Sequence, residues 1–166
     1  MLGVQNVVKV GIAEMNIVQV PQFIRTSGLG SCVGVVLYDA TSKIAGMVHV
    51  MLPTSNLART SDFNPCKYAD TGVDHLLRAV INSGASLPKL RAKIAGGAQM
   101  FQFSSSSSEM MRIGPRNVEA VRERLESHHI PLISEDCGGN SGRTIEFNPD
   151  SGKLMIKTVN KSITYI

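Results

Sequence analysis

The stretch TSGLGSCVGVVLYD, residues 26–39, joins a glycine-rich segment to an apolar run, and Cys32 lies at the junction. The β-branched residues of the run, 33–38, predict a β-strand. Glycines 28, 30 and 34 come within one position of the dinucleotide-binding fingerprint, but that fingerprint needs a helix directly after the glycines. Because a strand follows instead, the stretch excludes a nucleotide loop and predicts a sheet with a thiol at its edge.

Further strands are predicted on both sides of this stretch. Residues 44–52 form the return strand of a hairpin whose turn is DATSK, 39–43. Alternating apolar residues predict strand structure over 7–20, with Val8, Val10 and Ile12 on one face. Short strands are also expected around residues 93–95, at PLISED, and at RTIEF and KLMIK, which flank the turn residues NPDSG.

Two helices interrupt the strands. Residues 68–83 carry apolar side chains at helical spacing, and a second helix follows IGPRN, where Asn117 is expected to be the N-cap. The polar stretch 54–67 between the second hairpin strand and the first helix predicts a loop that borders a site. Together these elements indicate an α/β protein with mixed, largely antiparallel sheets.

The composition is that of a globular protein, and 166 residues suit a single domain, 1–166. Hydrophobic residues make up 43% of the chain and charged residues 18%, which excludes a disordered segment. The net charge of +4 comes from scattered Lys and Arg residues, and there is no Trp to stack on bases. We therefore expect no nucleic-acid partner, although a mild positive field favours acidic protein partners.

The three cysteines, Cys32, Cys66 and Cys137, show no CxxC spacing and no disulfide framework. Reduced thiols are typical of a cytoplasmic protein. The chain has no apolar segment of the ~20 residues that a membrane span needs, and no signal peptide is expected. The four histidines and three cysteines lack the spacing of metal ligands, so the sequence predicts neither a metal nor a cofactor.

Cys32 has two interpretations, a small buried hydrophobe or a nucleophile. As a nucleophile it needs a base, and His49 is the best candidate because the hairpin returns it towards Cys32. The backbone N–H groups of Ser31 and Cys32 could then form an oxyanion hole. The alternative for His49 is a hydrogen-bonded histidine in a half-buried strand. Thr26, at the start of the glycine-rich stretch, could orient the imidazole, and its alternative is a threonine that caps a turn.

Six motifs along the chain are distinctive: VGIAEMNIV, TSGLGSCVGVVLYD, AGMVHVMLP, KIAGGAQMF, IGPRNVEAV and EDCGGNSGRTIEF. Together they resemble the motifs of the CheD family of chemoreceptor glutamine deamidases in bacterial chemotaxis. The resemblance implies a three-layer α/β sandwich similar to bacterial toxin deamidases. It also implies that Cys32 is the nucleophile, His49 the base and Thr26 the third member of a triad in a protein-glutamine glutaminase.

The same resemblance implies that the substrate is a glutamine side chain on the cytoplasmic helices of a chemoreceptor, and that receptor methyl esters are hydrolysed in some members. It further implies binding and stimulation of a CheC-type phosphatase of the response regulator. Phe101 and Phe103 are candidates for that docking patch, with core packing as the alternative. A protein that serves mainly as the regulatory partner of the phosphatase is the alternative function.

Overall fold

The computed structural model describes residues 6–100 and 112–166, in which ten strands and two α-helices are found. The strands are β1 Val7–Val10, β2 Met15–Gln19, β3 Phe23–Leu29, β4 Val33–Asp39, β5 Ile44–Val50, β6 Arg91–Gly96, β7 Leu132–Cys137, β8 Arg143–Asn148, β9 Lys153–Thr158 and β10 Ile163–Tyr165. The helices are α1 Ala69–Asn82 and α2 Ile113–Ser127. Neither helix is long and apolar enough to cross a bilayer.

The strands form two five-stranded sheets. The first sheet has the order β1-β3-β8-β9-β10 and the second the order β2-β5-β4-β6-β7. The pairs β1–β3 and β6–β7 are parallel and the other pairs are antiparallel. The prediction of mixed, largely antiparallel sheets is confirmed.

Two hydrophobic cores lie on opposite faces of the second sheet. Its central strands β4 and β5 are buried along their whole length, as expected of strands covered on both faces. One core packs one face of these strands against α1 and α2. The other core packs their opposite face against β3, β8 and β9 of the first sheet. The layers are therefore first sheet, second sheet and helices, which confirms the three-layer α/β fold.

The glycine-rich stretch ends β3 with a β-bulge. Thr26 pairs with Ile145 and Leu29 with Arg143, so β3 has one residue more than β8 over this interval. Gly28 lies within the bulge at a φ of +73°, which glycine adopts without strain. The bulge bends the chain so that the segment after Leu29 leaves the first sheet and enters β4 of the second.

Three details differ from the predictions. The run 7–20 is two strands in different sheets, because a turn at 11–14 interrupts it and leaves Ile12 56% exposed. Asn117 is not an N-cap: α2 begins at Ile113, and Asn117 is completely buried in the helix. The short edge strand β10 was not predicted. Phe101, Phe103 and the serine run 104–108 lie outside the described residues.

Candidate active site

Thr26 and His49 meet between the two sheets. Thr26 lies in β3 of the first sheet and His49 in β5 of the second, and the distance from Thr26 Oγ1 to His49 Nδ1 is 2.7 Å. Both side chains are buried, with 1% and 0% of their surface exposed. The stacking of the sheets therefore brings together two of the three residues that the sequence singled out.

The partner of Thr26 fixes the tautomer of His49. Thr26 Oγ1 also lies 2.7 Å from the carbonyl oxygen of Val10, its neighbour in the parallel β1–β3 pair. A carbonyl oxygen can only accept, so the single hydroxyl hydrogen of Thr26 is donated to Val10. The hydrogen between Thr26 and His49 must then come from Nδ1, which leaves Nε2 as the unprotonated nitrogen of a neutral imidazole.

His49 Nε2 is available as a base. It is buried and has no hydrogen-bond partner within residues 6–100 and 112–166. Burial disfavours the imidazolium and lowers the pKa of His49 from 6.5 to about 4. At neutral pH the ring is therefore uncharged, with a free lone pair at Nε2.

Cys32 lies immediately before β4, on the same face of the second sheet as His49. Gly34 is the strand partner of His49, and Cys32 precedes Gly34 by two residues. Cys32 packs against the core between the sheets, and diagonal neighbours in a ladder are about 7–8 Å apart, within reach of side chains. The strand pairing thus places Cys32 on the same face of the second sheet as His49, diagonally across the ladder.

The thiol of Cys32 is neutral in this structure. Burial raises its pKa, and its own backbone N–H offsets only part of that effect. Because His49 is also uncharged, no imidazolium is present to lower the pKa of the thiol. His49 Nε2 has no hydrogen-bond partner among the described residues, so Cys32 is not hydrogen-bonded to it in this structure, and the thiol–imidazole pair stays a prediction.

Gly34 makes room for the contact between the sheets. A Cβ atom at this position would lie 2.6 Å from Ile145 Cδ1, 3.3 Å from Leu29 Cδ1 and 3.5 Å from Thr26 Cγ2. Gly34 faces the first sheet directly opposite His49 in the ladder. Its missing side chain allows β3 to approach β4 and β5 closely enough for Thr26 to reach His49.

The backbone around Cys32 is held by the segment after β6. The N–H of Gly97 donates to the carbonyl of Cys32 and the N–H of Ala98 to that of Gly30, both at 2.8 Å. Gly96 lies so close that a Cβ there would be 2.3 Å from the carbonyl oxygen of Cys32. In the described ranges, no oxygen accepts a hydrogen bond from the N–H of Ser31 or Cys32.

Arg143 supports the same region from the first sheet, a role that sequence reasoning missed. It is 7% exposed, and its guanidinium donates to the carbonyls of Gly96 and Gly138 at 3.4 and 2.9 Å. It also lies 3.3 Å from Asp136 Oδ1. These contacts link the end of β6 to the turn after β7, beside the backbone that holds Cys32.

A groove of about 330 Å³ opens beside Thr26, between the end of β1 and β3. It is lined by the backbone of the turn 11–12 and by Lys9 and Arg25. The loop 54–67 borders this turn, since Asn64 Nδ2 donates to the carbonyl of Ala13 at 2.8 Å. Neither Cys32 nor His49 lines this groove, and the guanidinium of Arg25 is paired with Glu146 at 2.9 Å.

The other cysteines lie elsewhere. Cys66 is buried against α1 in the core between the helices and the second sheet, and burial raises the pKa of its thiol. Burial also raises the pKa of Cys137 to about 12. Across the described residues, no three His, Cys, Asp or Glu side chains are clustered as metal ligands would be.

Two further groups near the candidate site, the carbonyl of Val10 and the side chain of Asn117, were not predicted from the sequence. The carbonyl of Val10 carries no sequence signal, because any residue in that strand could supply it. Asn117 did carry one: it falls at the spacing of the apolar residues Val121 and Leu125, which line the buried face of α2. A polar residue at a core position of a helix indicates a specific hydrogen-bonding role.

Comparison with known proteins relates the chain to one family. A family model described as CheD chemotactic sensory transduction matches residues 51–158. The match starts after His49, so it is independent of Thr26, Cys32 and His49. A solved structure of hypothetical protein YfiH from Bacillus licheniformis aligns with a TM-score of 0.45 and 16% identity, over 76% of this chain and 51% of that one.

Curated relatives match nearly the whole chain. The probable chemoreceptor glutamine deamidase CheD of Geobacillus kaustophilus is 58% identical over 159 residues, 96% of each chain. The chemoreceptor glutamine deamidase CheD of Bacillus licheniformis is 52% identical, over 97% of this chain and 95% of its own. That of Bacillus subtilis is 54% identical over 93% of each. The chain therefore belongs to the CheD family.

Proposed function

We propose that this protein deamidates glutamine side chains of chemoreceptors to glutamate, with Cys32 as nucleophile, His49 as general base and acid, and Thr26 as the residue that orients the imidazole. Its relatives are named chemoreceptor glutamine deamidases at 52–58% identity. The activity is that of a protein-glutamine glutaminase, carried by a single domain, 1–166, in the cytoplasm.

One observation carries the mechanism, the chain of contacts from Val10 through Thr26 to His49. Thr26 donates to the Val10 carbonyl and accepts from His49 Nδ1. This arrangement keeps Nε2 unprotonated without a carboxylate, which the sequence does not provide at this site. A hydroxyl in place of a carboxylate also fits the low pKa of His49, because no negative charge stabilises the imidazolium.

The first half of the reaction forms a thioester. His49 Nε2 removes the proton from the Cys32 thiol as the sulfur attacks the carbonyl carbon of the glutamine amide. The resulting oxyanion is stabilised by the N–H groups of Ser31 and Cys32. When the carbon–nitrogen bond breaks, the imidazolium returns its proton to the nitrogen, which leaves as ammonia.

The second half hydrolyses the thioester. His49 Nε2 takes a proton from a water molecule as its oxygen attacks the thioester carbon. The carbon–sulfur bond then breaks, the sulfur regains the proton from the imidazolium, and glutamate is released. Neither step consumes an electron carrier or another cofactor, and the protein returns to a neutral thiol and a neutral imidazole.

The family resemblance implies that the substrate is one glutamine side chain on a receptor helix. The groove beside Thr26 is lined by neither Cys32 nor His49, so it is not the site at which the amide reacts. The net charge of +4 favours the approach of an acidic receptor surface. The site at which the amide reacts would also hydrolyse receptor methyl esters by an equivalent thioester.

Mass spectrometry of a purified chemoreceptor cytoplasmic fragment tests the proposal. The fragment is incubated with the wild-type protein, with Cys32→Ala and with His49→Ala, and glutamine-to-glutamate conversion is mapped to individual peptides. We expect conversion with wild type and its loss in both variants. Cys66→Ala serves as the matched control, since it removes a buried thiol outside the site.

Two outcomes would contradict the proposal. Conversion that persists in Cys32→Ala would exclude the thiol as nucleophile. Absence of conversion by the folded wild-type protein, on receptors from its own organism, would favour the regulatory alternative.

That alternative is binding to a CheC-type phosphatase, which we propose as a second role on the basis of the family resemblance. It needs the protein surface and not the thiol. We expect Cys32→Ala to bind a CheC-type phosphatase with wild-type affinity while its deamidase activity is lost. Pull-down and titration calorimetry with Cys32→Ala and with a Phe101→Ala, Phe103→Ala double variant distinguish the two roles.

A further inference from the structure

Asn117 joins the two segments that carry Cys32 and His49. It lies in the second turn of α2, is completely buried, and its Nδ2 atom is 2.9 Å from the carbonyl oxygen of Ser31 and 2.9 Å from that of Met51. Ser31 immediately precedes Cys32, and Met51 follows His49 by two residues. One side-chain amide therefore holds both segments.

The chemistry of the two partners fixes the orientation of this amide. Both are carbonyl oxygens, which only accept hydrogen bonds, so the NH₂ group and not the oxygen must face them. Its two hydrogens are then both donated. The Asn117 Oδ1 atom is buried and has no partner in the described parts of the chain, a cost that a purely apolar side chain would avoid.

The side-chain amide of Asn117 bridges β4 and β5 at the point where their backbone pairing ends. The last pair between β4 and β5 is Val33 with Val50. Beyond it the strands take different partners: the carbonyl of Cys32 accepts from Gly97, whereas the N–H of Met51 donates to Lys67. The hydrogen bonds of Asn117 connect the two strands where they separate. They replace the missing backbone pair at the point where Cys32 must stay aligned with His49.

The helix is a rigid support for this contact. Gly114, one turn before Asn117, packs so closely that a Cβ there would lie 2.3 Å from the carbonyl oxygen of Ala98. Gly97 and Ala98 in turn donate to the carbonyls of Cys32 and Gly30. The start of α2 thus holds the segment around Cys32 from two directions.

We propose that Asn117 is a positioning residue for the thiol reaction, one that keeps the Cys32 backbone in register with His49 so that Nε2 can take the thiol proton. This inference rests on the proposed function. Asn117 contacts main-chain carbonyls of both segments, so its effect passes through the alignment of Cys32 and His49. A loss of alignment should lower kcat by about tenfold to a hundredfold and leave KM within about twofold.

The test is a double-mutant cycle on the alkylation of Cys32 by iodoacetamide, followed by mass spectrometry of the Cys32 peptide in the intact, folded protein. His49→Ala is compared with its parent in two backgrounds, Asn117 and Asn117→Ala. We expect His49→Ala to slow alkylation in the first background and to have little effect in the second. Deamidation of the receptor fragment gives kcat and KM for the same proteins.

Two variants keep the test decisive. Asn117→Asp has nearly the same shape but cannot donate to both carbonyls, because a carboxylate has no donor and a carboxylic acid has one, so it should also lower kcat and weaken the effect of His49→Ala. Val121→Ala removes buried volume one turn further along α2, in the core between the helices and the second sheet, and should lose stability while kcat stays within about twofold. All rates are measured where circular dichroism shows each variant to be folded.

Several outcomes would overturn the inference. One is an equal slowing of alkylation by His49→Ala in both backgrounds, and another is a kcat loss in Val121→Ala as large as that in Asn117→Ala. If His49→Ala has no effect on alkylation even when Asn117 is intact, the Cys32–His49 pair is itself absent and the proposed function fails with the inference. If the receptor fragment is not deamidated but His49→Ala slows the alkylation of Cys32, the alkylation cycle still tests the role of Asn117.

Discussion

Thr26 in one sheet and His49 in the other share a 2.7 Å hydrogen bond. Because Thr26 gives its own hydrogen to the carbonyl of Val10, the imidazole must donate from Nδ1 and keep its lone pair at Nε2. The candidate site thus depends on the packing of two sheets rather than on one loop. Any change that separates the sheets should change the chemistry of the histidine.

Removing the Thr26 hydroxyl is the direct test of this relationship. In Thr26→Val the Val10 carbonyl and the His49 Nδ1–H both lose their buried partner, which we expect to cost about 1–3 kcal/mol for each group. The imidazole also loses its fixed tautomer, so kcat for deamidation should fall by about tenfold to a hundredfold. Urea denaturation and kinetics on the receptor fragment measure the two effects.

Thr26→Ser is the control for this change. It keeps the hydroxyl and removes one methyl group, so most of kcat should be retained. Equal kcat in Thr26→Val and wild type, with both proteins folded, would remove Thr26 from the mechanism.

Local patterns were sufficient to predict the hairpin that carries His49. The strand after the glycine-rich stretch and the hairpin that returns His49 opposite Gly34 both follow from β-branched runs and a short turn. Pairing in a hairpin is set by nearby residues, so the strand register that places His49 opposite Gly34 could be predicted from the sequence. The reaction between Cys32 and His49 stays a prediction.

The rest of the candidate site depends on contacts between distant segments. Whether Thr26 orients the imidazole or caps a turn was left open, because the answer depends on how the first sheet stacks on the second. The cap assigned to Asn117 was wrong because a local capping rule does not see that α2 begins earlier, at Ile113, without a side-chain cap. Its true partners, Ser31 and Met51, are 86 and 66 residues away.

The pH dependence of activity should reflect the low pKa of His49. The base is competent when neutral, so activity is present above its pKa and lost as the pH falls through about 4. At pH 5.5 kcat/KM should therefore remain close to its value at pH 7.5. An ordinary histidine with a pKa of about 6.5 would leave about a tenth of the activity at pH 5.5, and that result would contradict a buried, neutral base.

The same pKa shift predicts a loss of stability in acid. The pKa of His49 is lower in the folded protein than in the unfolded chain, so the unfolded chain binds more protons between about pH 6.5 and 4. The contribution of His49 is fully present above pH 6.5 and should decrease by about 2 kcal/mol between pH 7 and 4.5. His49→Gln should lack this component, which urea denaturation of both proteins at the two pH values would reveal as a smaller loss in the variant.

Gly34→Ala tests whether the spacing between the sheets controls the site. The new Cβ would lie 2.6 Å from Ile145 Cδ1 and 3.5 Å from Thr26 Cγ2, so the first sheet must move away from β4. We expect a loss of about 1–3 kcal/mol in the free energy of unfolding from overpacking. Deamidation should fall as well, because the same displacement lengthens the Thr26–His49 hydrogen bond.

The loss of stability and the loss of activity can be separated by temperature. A longer Thr26–His49 bond leaves the tautomer of His49 unfixed, so kcat should fall even at temperatures where Gly34→Ala is fully folded. Gly142→Ala is the matched control, since a Cβ there meets nothing closer than Val159 Cγ2 at 3.8 Å and activity should be unchanged. If folded Gly34→Ala keeps the wild-type kcat and the wild-type pH profile, the gap that Gly34 provides is needed for stability alone and does not set the geometry of the histidine.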